Sequence, residues 1–115
     1  MTDGKTIVGL IEHVRLVGKD NEMKVLARID TGATKSSIDA KLAAELQVGP
    51  EIRTAMVRSA HGVKRRGIVK QKVIIAGRHM NMEFTLADRS HMKYKVLIGQ
   101  NILKRRFLID PAKDA

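Results

Sequence analysis

Cysteine and tryptophan are absent from this 115-residue chain, which has only two prolines and, as its whole aromatic set, Tyr94, Phe84 and Phe107. Without cysteine there are no disulfides and no thiolate metal sites, and a reducing compartment is favoured. So few aromatics leave Val, Ile, Leu and six Met to build the core. They also argue against base stacking as a binding mode. No apolar run approaches the ~20 residues that span a bilayer. Met1-Thr2-Asp3-Gly4-Lys5 carries an acid and lacks the apolar stretch of a leader. A soluble, cytoplasmic protein with no membrane partner is expected. Acids are also scarce, 12 against 22 Lys and Arg, for a formal net charge of +10. Beyond Glu51 they thin out and Arg58, Lys64, Arg65, Arg66, Lys70 and Lys72 take over. Such a field draws in acidic partners. A peptide or protein is the first candidate and nucleic acid the second.

Hydrophobic residues make up 43%, too many for a disordered chain. The length suits one domain over residues 1–115. Short alternating runs dominate. Thr6 to Val14 reads as a strand interrupted by Gly9, and Glu22 to Ile29 as a second after the Gly18–Asn21 turn. Ser36 to Ala40 continues as a short strand, and Lys41 to Leu46 suits one or two helical turns, broken by Gly49-Pro50. Ile52–Arg58 and Gly67–Ile75 form a long hairpin with a basic, Gly-containing tip. His79 to Leu86 places Met80, Met82, Phe84 and Leu86 on one face. Tyr94 to Ile98 reads as a buried strand, Gln100 to Lys104 as a helical turn, and Arg106 to Asp110 as the last strand. Many short strands with little helix argue for a small β-barrel.

Asp30-Thr31-Gly32-Ala33 is the stretch that carries chemistry. The strand before it delivers a lone carboxylate into a tight turn containing Gly32, where a side chain would hold paired loops apart. Aspartic-type hydrolysis needs two carboxylates, and the chain has one such Asp. A homodimer with the site on its two-fold axis follows. Thr31 can reach across that axis, and Ser36 or Ser37 can hydrogen-bond within the loop. Ala33 offers the carboxylate no hydroxyl. A hydrogen bond to the ionised form would lower its pKa, so function nearer neutral than strongly acid pH is expected. Val96-Leu97-Ile98-Gly99, followed by a short helix, reads as a strand threading beneath this turn. Ser36, Ser37 and Asp39 contain the makings of a serine site, but no His has a reason to lie near them.

Asp30-Thr31-Gly32-Ala33, the hairpin around His61-Gly62, and Leu97 through Leu103 resemble a retropepsin, the dimeric aspartic protease fold of retroviruses. Arg28 to Ala33, Thr85 to Met92 and Val96 to Pro111 resemble more closely the small bacterial and archaeal RimB-like proteins labelled ATP-dependent zinc proteases. The resemblance runs from about Lys5 to Lys113. It implies a mainly β fold, a small closed β-barrel of the retropepsin-like type with one or two short helices. It implies an aspartic endopeptidase with Asp30 catalytic in a homodimer and Thr31, Gly32 and Ala33 as its active-site loop. His61, Gly62 and Arg66 of the flap and Arg89 of an Arg-x-x-Met element are implied as substrate-binding. Some bacterial members are associated with a glutamate ligase acting on a ribosomal protein, which implies an acidic, glutamate-rich peptide as substrate.

The zinc and ATP of that label have no counterpart in the residues. There is no His-Glu-x-x-His, and His13, His61, His79 and His91 lack ligand spacing. Gly32-Ala33-Thr34-Lys35-Ser36 lacks the earlier Gly and the Gly-Lys pair of a phosphate loop. No metal and no cofactor are expected. A second reading keeps the barrel without the catalysis. It is a basic module binding RNA, the ribosome or an acidic protein through its surface charge.

Overall fold

A computed structural model describes residues 4–59 and 62–115. Its strands are β1 (Thr6–Val8), β2 (Ile11–Val17), β3 (Glu22–Ile29), β4 (Ser36–Asp39), β5 (Glu51–Ser59), β6 (Gly62–Ile75), β7 (Arg78–Ala87), β8 (Val96–Ile98) and β9 (Phe107–Ile109). Two short helices, α1 (Ala40–Glu45) and α2 (Gln100–Leu103), interrupt them. Hydrogen bonding runs in the order β2-β3-β8-β4-β7-β6 and returns from β6 to β2, which closes a six-stranded barrel. The mainly β, closed-barrel expectation is met. Among the described residues β5 pairs only with β6, and it extends the sheet as a long hairpin.

Period-two alternation explains the closure. In β2, Glu12, Val14 and Leu16 are buried while His13 and Arg15 are exposed. In β6, Val69, Gln71, Val73 and Ile75 point inward, opposite Phe84, Met82, Met80 and Arg78 of β7. Phe84, Leu16, Ile38, Ile75, Ile98 and Ile102 are fully buried. An aliphatic core with one central phenylalanine results, as the composition requires. The β6–β7 turn places Ala76 and Gly77 both at positive φ, 49° and 81°. That twist matches two antiparallel strands joined by a two-residue loop. Among the described residues, no helix is long and apolar enough to cross a membrane.

The first strand departs from the sequence reading. Thr6 to Val14 is not one strand, because Gly9 and Leu10 break it. β1 leaves the barrel and pairs in parallel with β9, joining the two ends of the chain. The Gly9 N–H donates to the buried Glu12 carboxylate at 2.9 Å, which also holds Lys113. A Cβ on Gly9 would strike the Lys113 carbonyl. The break is made by that tail contact, which no local pattern announces.

Candidate active site

Asp30 stands at the C-terminal end of β3. β3 runs parallel to β8, with Ile29 opposite Ile98, and the Asp30 N–H donates to the Ile98 carbonyl at 2.9 Å. The chain then turns. Ala33 N–H reaches the Asp30 carbonyl at 3.3 Å, and Gly32 N–H donates to the Asp30 carboxylate Oδ1 at 2.9 Å. A Cβ on Gly32 would sit 3.3 Å from that oxygen, so the residue's smallness admits the carboxylate. β4 then threads between β7 and β8, parallel to one and antiparallel to the other.

The start of α2 holds this loop from below. Gln100 N–H donates to Ala33 O at 2.8 Å and Asn101 N–H to Thr34 O at 3.2 Å. The Gln100 side chain donates to Thr31 O at 2.7 Å. Orphan donors of a helix start therefore take up the carbonyls of the Asp30 loop. Gly99 lets this happen, since a Cβ there would lie 2.9 Å from Ala33 O and 2.7 Å from the Lys35 carbonyl carbon.

Of the two serines that can bond within the loop, Ser36 turns its hydroxyl to the segment beneath it instead. Its fully buried hydroxyl donates to Asn101 Oδ1 at 2.7 Å and accepts from Gly99 N–H at 2.9 Å. Asn101 Nδ2 in turn donates to Glu83 O at 3.0 Å. Ser36 and Asn101 thus lock strand to helix beneath the carboxylate. The sequence reading missed this pairing, and no local pattern marks it, because both residues have other polar residues beside them. Asp39 is no part of a serine site. It caps α1 through Leu42 N–H at 3.3 Å and accepts the Arg89 N–H at 2.8 Å.

A groove of about 560 Å³ opens beside the loop. Gly32 to Lys35 form one wall, and Met56 to Arg58 with Arg66, from the β5–β6 hairpin, form the other. Arg89 closes one side. Arg66 and Arg89, singled out from the sequence, therefore meet at one groove with Gly32 and Ala33. Lys35 and Arg58 were not singled out and line it too. Four cations face the groove, and no described Asp or Glu lines it. Thr31 is exposed, with its carbonyl held by Gln100. Gly62 lies at the hairpin turn opposite Ser59, with φ +106°, and does not line the groove. His61 lies outside the described residues.

Arg89 is 9% exposed. Its Nε–H donates to Tyr94 O at 2.9 Å. Burial lowers its pKa, Asp39 and then Asp30 oppose that, and Arg28 adds to it. Lys95 fixes the surrounding turn by donating to the carbonyls of Arg89 at 2.9 Å, Ser90 at 2.6 Å and Met92 at 3.1 Å. Asp88 is held below the usual carboxylate range by the Ser90 hydroxyl and N–H, with His91 and Arg66 adding to the effect. Among the described residues, no group of three or more His, Asp or Glu is placed to hold a metal ion.

The fold has counterparts among known proteins. The chain matches, over 98% of its length and at 25% identity, a protein of Shewanella halifaxensis named probable alpha-L-glutamate ligase. It spans about 30% of that protein's length. A Legionella pneumophila protein of unknown function superposes with a TM-score of 0.67 at 21% identity, covering 94% of this chain and 95% of that one. The simian foamy virus protease gives 0.62 at 18% identity, over 82% of this chain and 91% of the other. The EIAV protease, solved with the inhibitor HBY-793, gives 0.67 at 19% identity over 83% and 85%. At such identities the viral enzymes show a shared fold.

The family model described as "Retropepsin-like aspartic endopeptidase RimB" matches residues 43–115. That stretch holds the hairpin, Arg89 and the Gly99–Asn101 support, while the Asp30 loop precedes it and is tied to it by the hydrogen bonds above. On that match, the chain belongs to the RimB-like family of retropepsin-like proteins.

Proposed function

We propose that the protein is an aspartic-type peptidase that works as a homodimer, each copy contributing Asp30 to a shared dyad. The observation that carries this reading is the placement of the Asp30 carboxylate. Asp30 stands at a strand end with its N–H held by β8, its carboxylate takes the Gly32 N–H, and the loop that follows is held by α2 and lines the groove under the hairpin. Two carboxylates about 3 Å apart cannot both ionise and so share one proton. The ionised member takes a proton from a bound water, whose oxygen attacks the peptide carbonyl. The protonated member donates to the carbonyl oxygen. The tetrahedral intermediate then collapses as a proton passes to the leaving nitrogen.

The groove's chemistry supports an acidic substrate. Arg58, Arg66 and Arg89 offer guanidinium forks suited to carboxylates, and Lys35 adds a fourth cation. Likeness to part of a protein named as a glutamate ligase supports a glutamate-rich peptide in particular. The test is cleavage of an oligoglutamate-tailed peptide by the purified protein, followed by mass spectrometry. Asp30→Asn should retain the fold, because an amide oxygen can still accept the Gly32 N–H, and should lose turnover. Undiminished cleavage by that variant refutes the assignment. The net charge of +10 favours a second reading, a non-catalytic binder of phosphates. Salt-sensitive RNA binding that Asp30→Asn leaves intact, in a protein that cleaves nothing, would select it.

A further inference from the structure

A second basic pocket, of about 370 Å³, lies away from the Asp30 loop. Lys19, Lys70 and Lys72 line it together with the amides of Gln47 and Asn81, and no described acid does. All three lysines are exposed.

One sheet face carries residues of both this pocket and the groove, with the buried Ile68 and Thr85 between them. On β6, Arg66, Ile68, Lys70 and Lys72 share a face by strict alternation. The register continues that face onto β7, where Ile68 lies opposite Thr85, Lys70 opposite Glu83, and Lys72 opposite Asn81. Arg66 and Thr85 line the groove. Ile68, Thr85 and Glu83 line a cavity of about 210 Å³ next to it, which shares Lys35 and Thr85 with the groove. Lys70, Lys72 and Asn81 line the second pocket. Glu83, an acid on this face, is already held by a two-pronged contact with Arg53, so it repels an arriving anion less than a free carboxylate does.

We propose that the Lys19–Lys70–Lys72 pocket is an exosite for the far end of an acidic peptide whose reacting segment lies in the groove. The proposal rests on the acidic-peptide reading given above and extends it to residues beyond the cleavage site. A strand rises about 3.3 Å per residue, which puts Lys70 roughly 13 Å and Lys72 roughly 20 Å from Arg66. An extended peptide covers that distance in about four to six residues. Its side chains alternate between faces, so only an unbroken acidic run offers carboxylates in either register. Each exposed ammonium–carboxylate pair contributes about twofold, so three together give roughly eightfold, weakening as salt rises.

The test uses Asp30→Asn, so that binding is read apart from cleavage. Fluorescence anisotropy compares oligoglutamates of about four and about twelve residues, lengths that end within the groove and reach the pocket. The longer peptide should bind about eightfold tighter, and Lys19→Ala/Lys70→Ala/Lys72→Ala should remove that advantage. With the catalytic protein, the ratio of kcat/KM for long over short peptide should fall by the same factor in the triple variant. An unaltered length advantage in the triple variant, or none in its parent, overturns the exosite. So does tight binding of an oligouridylate at these lysines without binding of oligoglutamate. Failure of the wild-type protein to cleave either peptide refutes the peptidase reading alone, because the anisotropy result stands apart from it.

Discussion

Gly99→Ala isolates the contact on which the Asp30 loop depends. Gly99 has φ −104°, a value alanine adopts freely, so the substitution adds only a methyl group. That methyl would lie 2.7 Å from the Lys35 carbonyl carbon and 2.9 Å from Ala33 O, with the Lys35 oxygen closer still. All three are backbone atoms, and the loop must retreat by about 1 Å to reach ordinary contact. The retreat stretches the 2.8 Å bond from Gln100 N–H to Ala33 O and the 3.2 Å bond from Asn101 N–H to Thr34 O. Each costs about 1 kcal/mol, and overpacking adds about 1–3 kcal/mol. The sum is about 3–5 kcal/mol. For a domain of this size that lowers Tm by roughly 4 °C per kcal/mol, or about 12–20 °C. Urea unfolding should show the same loss with an unchanged slope. Gly77→Ala is the contrast, because it has open space at φ +81° and loses only about 1–2 kcal/mol of backbone preference. Stability of Gly99→Ala within about 0.5 kcal/mol of wild type refutes the account of the loop's support.

Ser36→Ala leaves Gly99 N–H and Asn101 Oδ1 without their buried partner and should cost about 2–3 kcal/mol in urea unfolding; a loss below about 0.5 kcal/mol shows that the hydroxyl supports nothing. Glu83 has its folded pKa lowered, first by the Arg53 hydrogen bond, so its contribution is present above the ordinary carboxylate pKa and is lost as pH falls through the lowered one. Both partners are more than a third exposed, so the gap between wild type and Glu83→Gln should be below about 1 kcal/mol at neutral pH and close in acid; a gap independent of pH contradicts this. Arg89→Met should raise KM for an acidic peptide roughly tenfold by removing one charged contact. Arg89→Lys should not restore it, having no Nε–H to give the Tyr94 carbonyl. Equal KM values in all three proteins contradict a role for Arg89 in substrate binding.

What the chain declares in advance is what repeats locally. The alternation of Glu22 to Ile29 marks β3 to the residue, and Gly99 marks the start of α2. Tyr94 and Lys95, read as part of a strand, do other work. Tyr94 gives its carbonyl to Arg89 and Lys95 reaches three carbonyls of the preceding turn, so β8 begins only at Val96. The Ser36–Asn101 link joins positions 65 apart, and the Gly9–Lys113 contact joins the two ends of the chain. No period or motif encodes such pairings. Lys35 and Arg58 sit among many surface cations, and only the closing of the hairpin over the loop sets these two beside Arg66 and Arg89.

Subunit mixing tests the shared dyad most directly. Wild type and Asp30→Asn are co-refolded in varied proportion and assayed on an oligoglutamate-tailed peptide. If each site needs one Asp30 from each copy, only wild-type pairs work, and an equal mixture should keep about one quarter of the activity. Activity near one half at that mixture, falling linearly with the variant's share, would show each copy acting alone and contradict the dyad.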